Sequence, residues 1–266
     1  MLAIPISIIV LFLLYLFLIA PKNDKKMNNY KTRLYAHRGL HNEDRAENSM
    51  SAFRAAVEAG YGIELDVRLS KDGKLVVFHD DTLNRVCGRE GRVIDFTADE
   101  LATFKLSGTD DGIPLFSDVL KLIDGKIPLL VEIKENSGDS TVSVATCEML
   151  QSYKGNYIVE SFNPLSLKVV MEKMPDVPRG ILSHRYYEYE NSRKPLFFLL
   201  QSLLLNFLCR PAFIAYDHRH ANAFGLRFVR KFFGVPIIAW TVRSAEDEAV
   251  ARKNGFDGII FENYLP

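Results

Sequence analysis

The chain has 266 residues, with 33 basic and 33 acidic side chains and a net charge of zero. That length suits one barrel-sized domain or two small ones, and a balanced charge leaves no electrostatic footprint for nucleic acid. Cys87, Cys147 and Cys209 are odd in number and lack Cys-x-x-Cys spacing, so no disulfide framework or cysteine zinc site is indicated, which fits a reducing compartment.

Residues 1–20 contain no charged side chain. About 20 apolar residues span a bilayer as a helix, so 1–21 is expected to be a transmembrane anchor. A cleaved signal peptide competes, but no Lys or Arg precedes the run and Pro21-Lys22 follows it. Lys22, Lys25, Lys26, Lys31 and Arg33 all lie after the span. The positive-inside bias then predicts a single-pass protein of the cell membrane with its globular part in the cytoplasm. Residues 22–31 read as a polar linker, and 32–266 as the folded domain.

From residue 33, β-like runs alternate with helical patterns, which argues an α/β fold with a parallel sheet. Strands are predicted at 33–37, 62–67, 127–134, 157–161, 179–183, 213–217, 236–242 and 258–261. Helical patterns fall at 48–59, 117–123, 141–153, 164–174, 195–209, 221–233 and 245–254. Eight strands with interposed helices fit a (β/α)8 TIM barrel, and no Gly-x-Gly-x-x-Gly loop favours an open doubly wound sheet. Lys71-Asp72-Gly73-Lys74 is a turn signal, so 75–78 should return antiparallel to the second strand and bring His79 roughly across from Asp66. Residues 81–114, rich in Gly, Arg and Asp, read as a small insertion after that strand.

The run from 195 to 209 is apolar nearly all round, broken only by Gln201, Ser202 and Asn206. A barrel helix needs only one apolar face, so this one is expected either to be deeply buried or to lie in a membrane interface. It is too short to cross a bilayer.

Reactive residues collect at predicted strand ends. Glu64 and Asp66 are two apart on a strand and share one face. Their repulsion is relieved by a hard divalent cation, Mg²⁺ or Ca²⁺, which prefers oxygen ligands. Glu132 stands near the end of another strand, with Lys134 on the same face. Any one acid alone would more often be a solvated strand-end charge, but three on one rim reverse that preference. His37 and His79 reach the same rim, where barrel enzymes place their sites, and two histidines can supply base and acid near neutral pH. Arg38 offers a planar fork for phosphate oxygens. Ser161-Phe162 at a strand end either lines the pocket or caps the next helix. His41, His184, His218 and His220 read as rim or surface groups.

In order along the chain stand His37-Arg38-Gly39, Glu47-Asn48-Ser49, Ala52-Phe53, Glu64-Leu65-Asp66-Val67, Lys71-Asp72-Gly73, Val77-Phe78-His79-Asp80, Leu83-Asn84-Arg85, Glu132-Ile133-Lys134, Ser161-Phe162 and Trp240-Thr241-Val242. This series resembles the glycerophosphodiester phosphodiesterases and covers the chain after the linker. The resemblance implies a barrel of the phospholipase C-like phosphodiesterase type, with a small insertion after strand 2. It implies His37 and His79 as the acid/base pair and Glu64, Asp66 and Glu132 as ligands of a divalent metal. Arg38 and Lys134 would contact phosphate, and Trp240 would line the glycerol pocket. Departures from the family pattern are Ala46 in place of Pro, Arg243 in place of Asn, and Glu262 with Asn263 in the terminal motif.

The function expected is metal-dependent hydrolysis of glycerophosphodiesters to an alcohol and glycerol 3-phosphate. An alternative is lysophospholipase D action on lysophospholipids. A catalytically silent, membrane-tethered binding barrel is the alternative of another class, and it would predict erosion of the histidines or acids.

Overall fold

The structure is a computed structural model that describes residues 3–135, 139–189 and 193–266. Its strands are β1 (Leu34–His37), β2 (Gly62–Leu69), β3 (Leu75–Val77), β4 (Leu129–Ile133), β5 (Tyr157–Ser161), β6 (Arg179–Ser183), β7 (Phe213–Asp217), β8 (Ile237–Val242) and β9 (Gly258–Phe261). Eight of them run parallel, and β1 pairs with both β2 and β9, so the sheet closes into a barrel. The strands are nearly continuous apolar runs, as a sheet buried on both faces requires. β3 returns antiparallel on β2, as the turn signal predicts. The register pairs Val67 with Val77, and Phe78 N–H donates to Asp66 O, so His79 falls one residue beyond Asp66.

The helices are α1 (Ala3–Ile19), α2 (Met50–Ala59), α3 (Asn84–Cys87), α4 (Ala98–Ala102), α5 (Phe116–Ile123), α6 (Thr141–Gln151), α7 (Pro164–Lys173), α8 (Tyr186–Tyr189), α9 (Pro195–Gln201), α10 (Phe224–Phe233) and α11 (Ala245–Lys253). Their ends follow local chemistry. Ser49 caps α2 by accepting from Ala52 N–H, and Gly60 ends it in the left-handed region. Asn163, followed by Pro164, starts α7. Ser161 instead donates to Ile133 O and ties β5 to β4. Between residues 81 and 114, α3 and α4 lie over a small core of their own that includes Phe78, Leu83, Leu101 and Phe104. Residues 25–29 form a 3₁₀ turn that packs Met27, with Tyr30, among Tyr35, Leu130 and Ile158.

Two expectations are corrected. α1 is 17 residues long, about 26 Å at 1.5 Å per residue, against a hydrocarbon core of about 30 Å. Among the described residues no helix is long and apolar enough to cross a membrane. The expected transmembrane helix is therefore not supported, nor is the single-pass placement with a cytoplasmic barrel that rested on it. The carboxyl end of α1 docks on the barrel instead. Ile19 is fully buried, Tyr15 packs edge-on against Phe228 at 5.0 Å, and Asn206 donates to Ile19 O at 3.0 Å. Two of the cations after it, Lys22 and Lys26, donate to Pro175 O and Asp176 O.

The run from 195 to 209 is not one helix. α9 stops at Gln201, the chain reverses at Leu203 with φ +61°, and a 3₁₀ turn follows at residues 206–208. Leu203, Asn206 and Cys209 are buried, while Leu196 and Phe198 are exposed. Breaking the helix divides its all-round apolar surface between the core and solvent. A continuous helix could bury only one side against the barrel.

Candidate active site

β1 delivers His37 to the rim, and the chain then turns at once. Arg38 has φ +57° and Gly39 φ +82°. A Cβ on Gly39 would stand 3.0 Å from Ala52 and Phe53, so the close approach of α2 requires glycine there. This turn aims Arg38 N–H at Glu64 Oε2, 3.0 Å away. The barrel register sets His37 level with Glu64 and Asp66 level with Glu132.

Glu64, Asp66 and Glu132 are buried, and one oxygen from each lies within 4.8 Å of the others. Lys134 Nζ stands 2.8 Å from Glu132 Oε1 and 3.2 Å from Asp66 Oδ1. Burial, then repulsion from Asp66 and Glu132, pushes the Glu64 carboxyl well above the carboxylate range. Burial pushes Glu132 up to about 7 against the pull of Lys134. Burial also opposes ionisation of Asp66, but Lys134, His79 and Arg38 hold it well below its usual value. Three carboxyls with such divided preferences are short of positive charge. Asn48 Oδ1 is buried beside them with no hydrogen bond, while Asn48 Nδ2 donates to Asp66 Oδ2 at 2.8 Å. An all-oxygen set beside an unpartnered amide oxygen fits a hard divalent cation.

The two histidines are supported alike. Nδ1 of His37 donates to Glu262 Oε2 at 2.5 Å, and Nδ1 of His79 donates to Asp80 Oδ1 at 2.6 Å. Burial lowers both imidazoles, His79 to about 4, so each is neutral at pH 7. With a carboxylate behind Nδ1, each Nε2 is the nitrogen left to exchange a proton in the cleft, and the carboxylate stabilises positive charge as it forms. An ion-pair chain links the two sides. Arg38 Nη1 donates to Glu47 Oε1, Arg85 donates to both Glu47 oxygens, and Arg85 Nε donates to Asp80 Oδ2, all at 2.7 Å.

Residues 37–264 match the glycerophosphoryl diester phosphodiesterase family. The chain belongs to this family. It is 31% identical over 249 residues to a glycerophosphodiester phosphodiesterase of Caldanaerobacter subterraneus subsp. tengcongensis, covering 88% of this chain and 95% of that protein. A lysophospholipase D of Rattus norvegicus is 30% identical over 196 residues, covering 69% of this chain and 56% of the relative. Among solved structures, an Oleispira antarctica phosphodiesterase in complex with the product sn-glycerol-3-phosphate superposes with a TM-score of 0.69 at 24% identity. It covers 87% of this chain and 93% of that chain, a likeness that carries the fold.

In this phosphodiesterase, Phe162 and Trp240 meet edge-on at 5.5 Å beside the acids, with Lys134 Nζ 5.8 Å from the Phe162 ring. His184 adjoins both rings and stacks on Tyr189 at 4.8 Å. His218 and His220 follow β7 at the rim but are buried, and His220 pairs with Glu188 at 2.6 Å.

Sequence reasoning quoted Glu47, Asp80 and Arg85 only as motif letters, and their charges were the available signal. It passed over Glu160, which lies level with Glu132 on the next strand and is 1% exposed. Burial, then Glu64 and Glu132, pushes this carboxyl well above its usual range. Its signal was an acid inside an apolar strand, Tyr-Ile-Val-Glu-Ser. The departures at 243 and 262 prove to be partners, for Arg243 Nε donates to Glu262 Oε1 at 2.5 Å.

Proposed function

We propose that this phosphodiesterase cleaves glycerophosphodiesters to an alcohol and glycerol 3-phosphate by histidine acid/base catalysis. The observation that carries the reading is the pair of carboxylate-backed histidines, His37 and His79, at the edge of the Glu64, Asp66 and Glu132 cluster. These acids would hold a divalent cation, Mg²⁺ or Ca²⁺, whose charge polarises the phosphoryl oxygens when bound. Arg38 and Lys134 bind the remaining phosphate oxygens and oppose the negative charge that grows on them in the transition state. One histidine takes the proton of the nucleophile, either water or the neighbouring glycerol hydroxyl, as the new P–O bond forms. The other enters the step as the imidazolium, which its carboxylate and the negative charge of the bound phosphodiester favour, and gives its Nε2 proton to the alcohol oxygen as the old P–O bond breaks. Phe162 and Trp240 line the substrate pocket, with Trp240 against the glycerol.

A second reading, lysophospholipase D action on lysophospholipids, is favoured by the similarity to the Rattus norvegicus enzyme. A silent binding barrel would have lost acids or histidines, and this chain keeps all five. The test is a substrate panel of glycerophosphocholine-type diesters and lysophospholipids with Mg²⁺ or Ca²⁺, run on the native protein and on His37→Ala. Turnover confined to the native protein is expected, and its preferred substrate separates the two readings. No turnover on any substrate, with the two proteins indistinguishable, would sink both.

A further inference from the structure

His37 presents two different faces. Its Nε2 lies 4.0 Å from Glu64 Oε2, toward the three acids, and its Nδ1 meets Glu262 Oε2 at 2.5 Å. His41 stands on that second face, in the loop after β1, with Nε2 3.7 Å from the same Glu262 oxygen. Nε2 of His41 is buried and makes no hydrogen bond. Arg243 engages the other oxygen of Glu262, which fixes the carboxylate and leaves Oε2 turned toward the two rings. One donor atom each from His37, His41 and Glu262 lies within 4.8 Å of the others. A cavity of about 580 Å³, lined by His41, Glu262, Leu40, Arg45 and Tyr264 among others, opens beside them.

We propose that His37, His41 and Glu262 form a second metal site, for a zinc-type ion, whose occupancy stops turnover. Two imidazole nitrogens and one carboxylate oxygen suit a borderline transition ion, whereas the all-oxygen set of Glu64, Asp66 and Glu132 suits a hard one. Donor softness therefore separates two neighbouring sites. An ion at this site takes the place of the proton between His37 Nδ1 and Glu262. The single proton of the neutral ring must then sit on Nε2, and Nε2 no longer has a lone pair to accept one. The three protein ligands leave one tetrahedral position for water supplied through the cavity. The inhibitory consequence rests on the proposed role of His37, but the existence of the site does not.

The experiment titrates zinc into the full-length protein by calorimetry under excess Mg²⁺, alongside turnover measured over the same zinc range. His41→Gln removes one ligand and lies outside the proposed catalytic groups. It is expected to keep the zinc-free turnover of the native protein, which also reports that it folds. Its zinc affinity and its zinc inhibition should both weaken by about tenfold or more. Glu64→Gln is expected to lose turnover yet still bind zinc calorimetrically, so a failure of the proposed function is distinguishable from a failure of the site. Zinc affinity unaffected by His41→Gln, or abolished by Glu64→Gln, would overturn the site. Zinc binding that depends on His41 but leaves turnover intact would overturn the switch.

Discussion

Arg85 holds Asp80 at two points, Nε to Oδ2 at 2.7 Å and Nη2 to Oδ1 at 3.0 Å, and Asp80 in turn receives Nδ1 of His79. The same guanidinium grips Glu47, which grips Arg38. One arginine thus sets the angle of His79 on one side of the cleft and of Arg38 on the other.

Removing that brace should misplace both groups without unfolding the barrel, because Arg85 is half exposed. Arg85→Met is expected to lower kcat/KM by roughly tenfold, or about 1.4 kcal/mol of transition-state stabilisation. Arg85→Lys should recover little of it, since an ammonium cannot make two-point contacts with both acids. Steady-state kinetics beside a thermal melt checks this, and a melt that moves as much as the rate would point to a purely structural brace.

Neutralising the acid cluster should act through metal affinity. Glu64→Gln, Asp66→Asn and Glu132→Gln each remove a charged oxygen ligand, and turnover is expected to fall by about a hundredfold or more. Chelation of the native protein should abolish activity, and readdition of Mg²⁺ or Ca²⁺ should restore it. Activity that survives exhaustive chelation would remove the metal from the mechanism.

The same cluster makes stability depend on pH in an unusual direction. Glu132 titrates at about 7 in the folded metal-free protein, and its neighbour Glu64 is also raised well above the usual range. An unfolded carboxyl releases its proton near 4.3, so between these values the folded state binds more protons than the unfolded state. Stability from these groups is fully present below about 4.3 and is lost as pH rises through 7. The metal-free melting temperature should therefore gain less, or fall, between pH 5 and 8, and a divalent cation should raise it more at pH 8 than at pH 5. Calorimetric melts at the two pH values decide, and an equal metal effect at both would count against the assignment.

Gly39 carries the turn that aims Arg38. Gly39→Ala puts a Cβ 3.0 Å from α2 in a left-handed backbone, and is expected to cost about 1–3 kcal/mol of stability and to lower turnover with it. Denaturant unfolding measures the first quantity. Native stability in this variant would show that the loop relaxes freely.

Much of this protein was legible from local pattern. The bounds of β5, β6, β7 and β9 agree with runs of alternating or continuous apolar residues, because a strand buried on both faces leaves that trace in its own few residues. The motif letters likewise placed His37, Glu64, Asp66, His79 and Glu132 near one rim. The helix at the amino end was misjudged for the same reason that the strands were not. Apolar composition reports that surface must leave water but not what will cover it, and Tyr15 and Ile19 find the barrel. The 195–209 run failed likewise, since its turn at Leu203 is flanked by bonds to residues distant in the chain, Ser183 donating to Leu200 O and Asn206 to Ile19 O. Barrel closure alone sets Glu262 against His37, 225 residues away, and turns a departure from the family pattern into a hydrogen-bond partner of that histidine. By itself the sequence determined which chemistry the chain can attempt, because residue type and strand period are local. Tertiary structure decided which carboxylate backs each histidine and where the amino-terminal helix lies, because both depend on contacts that only the closed barrel creates.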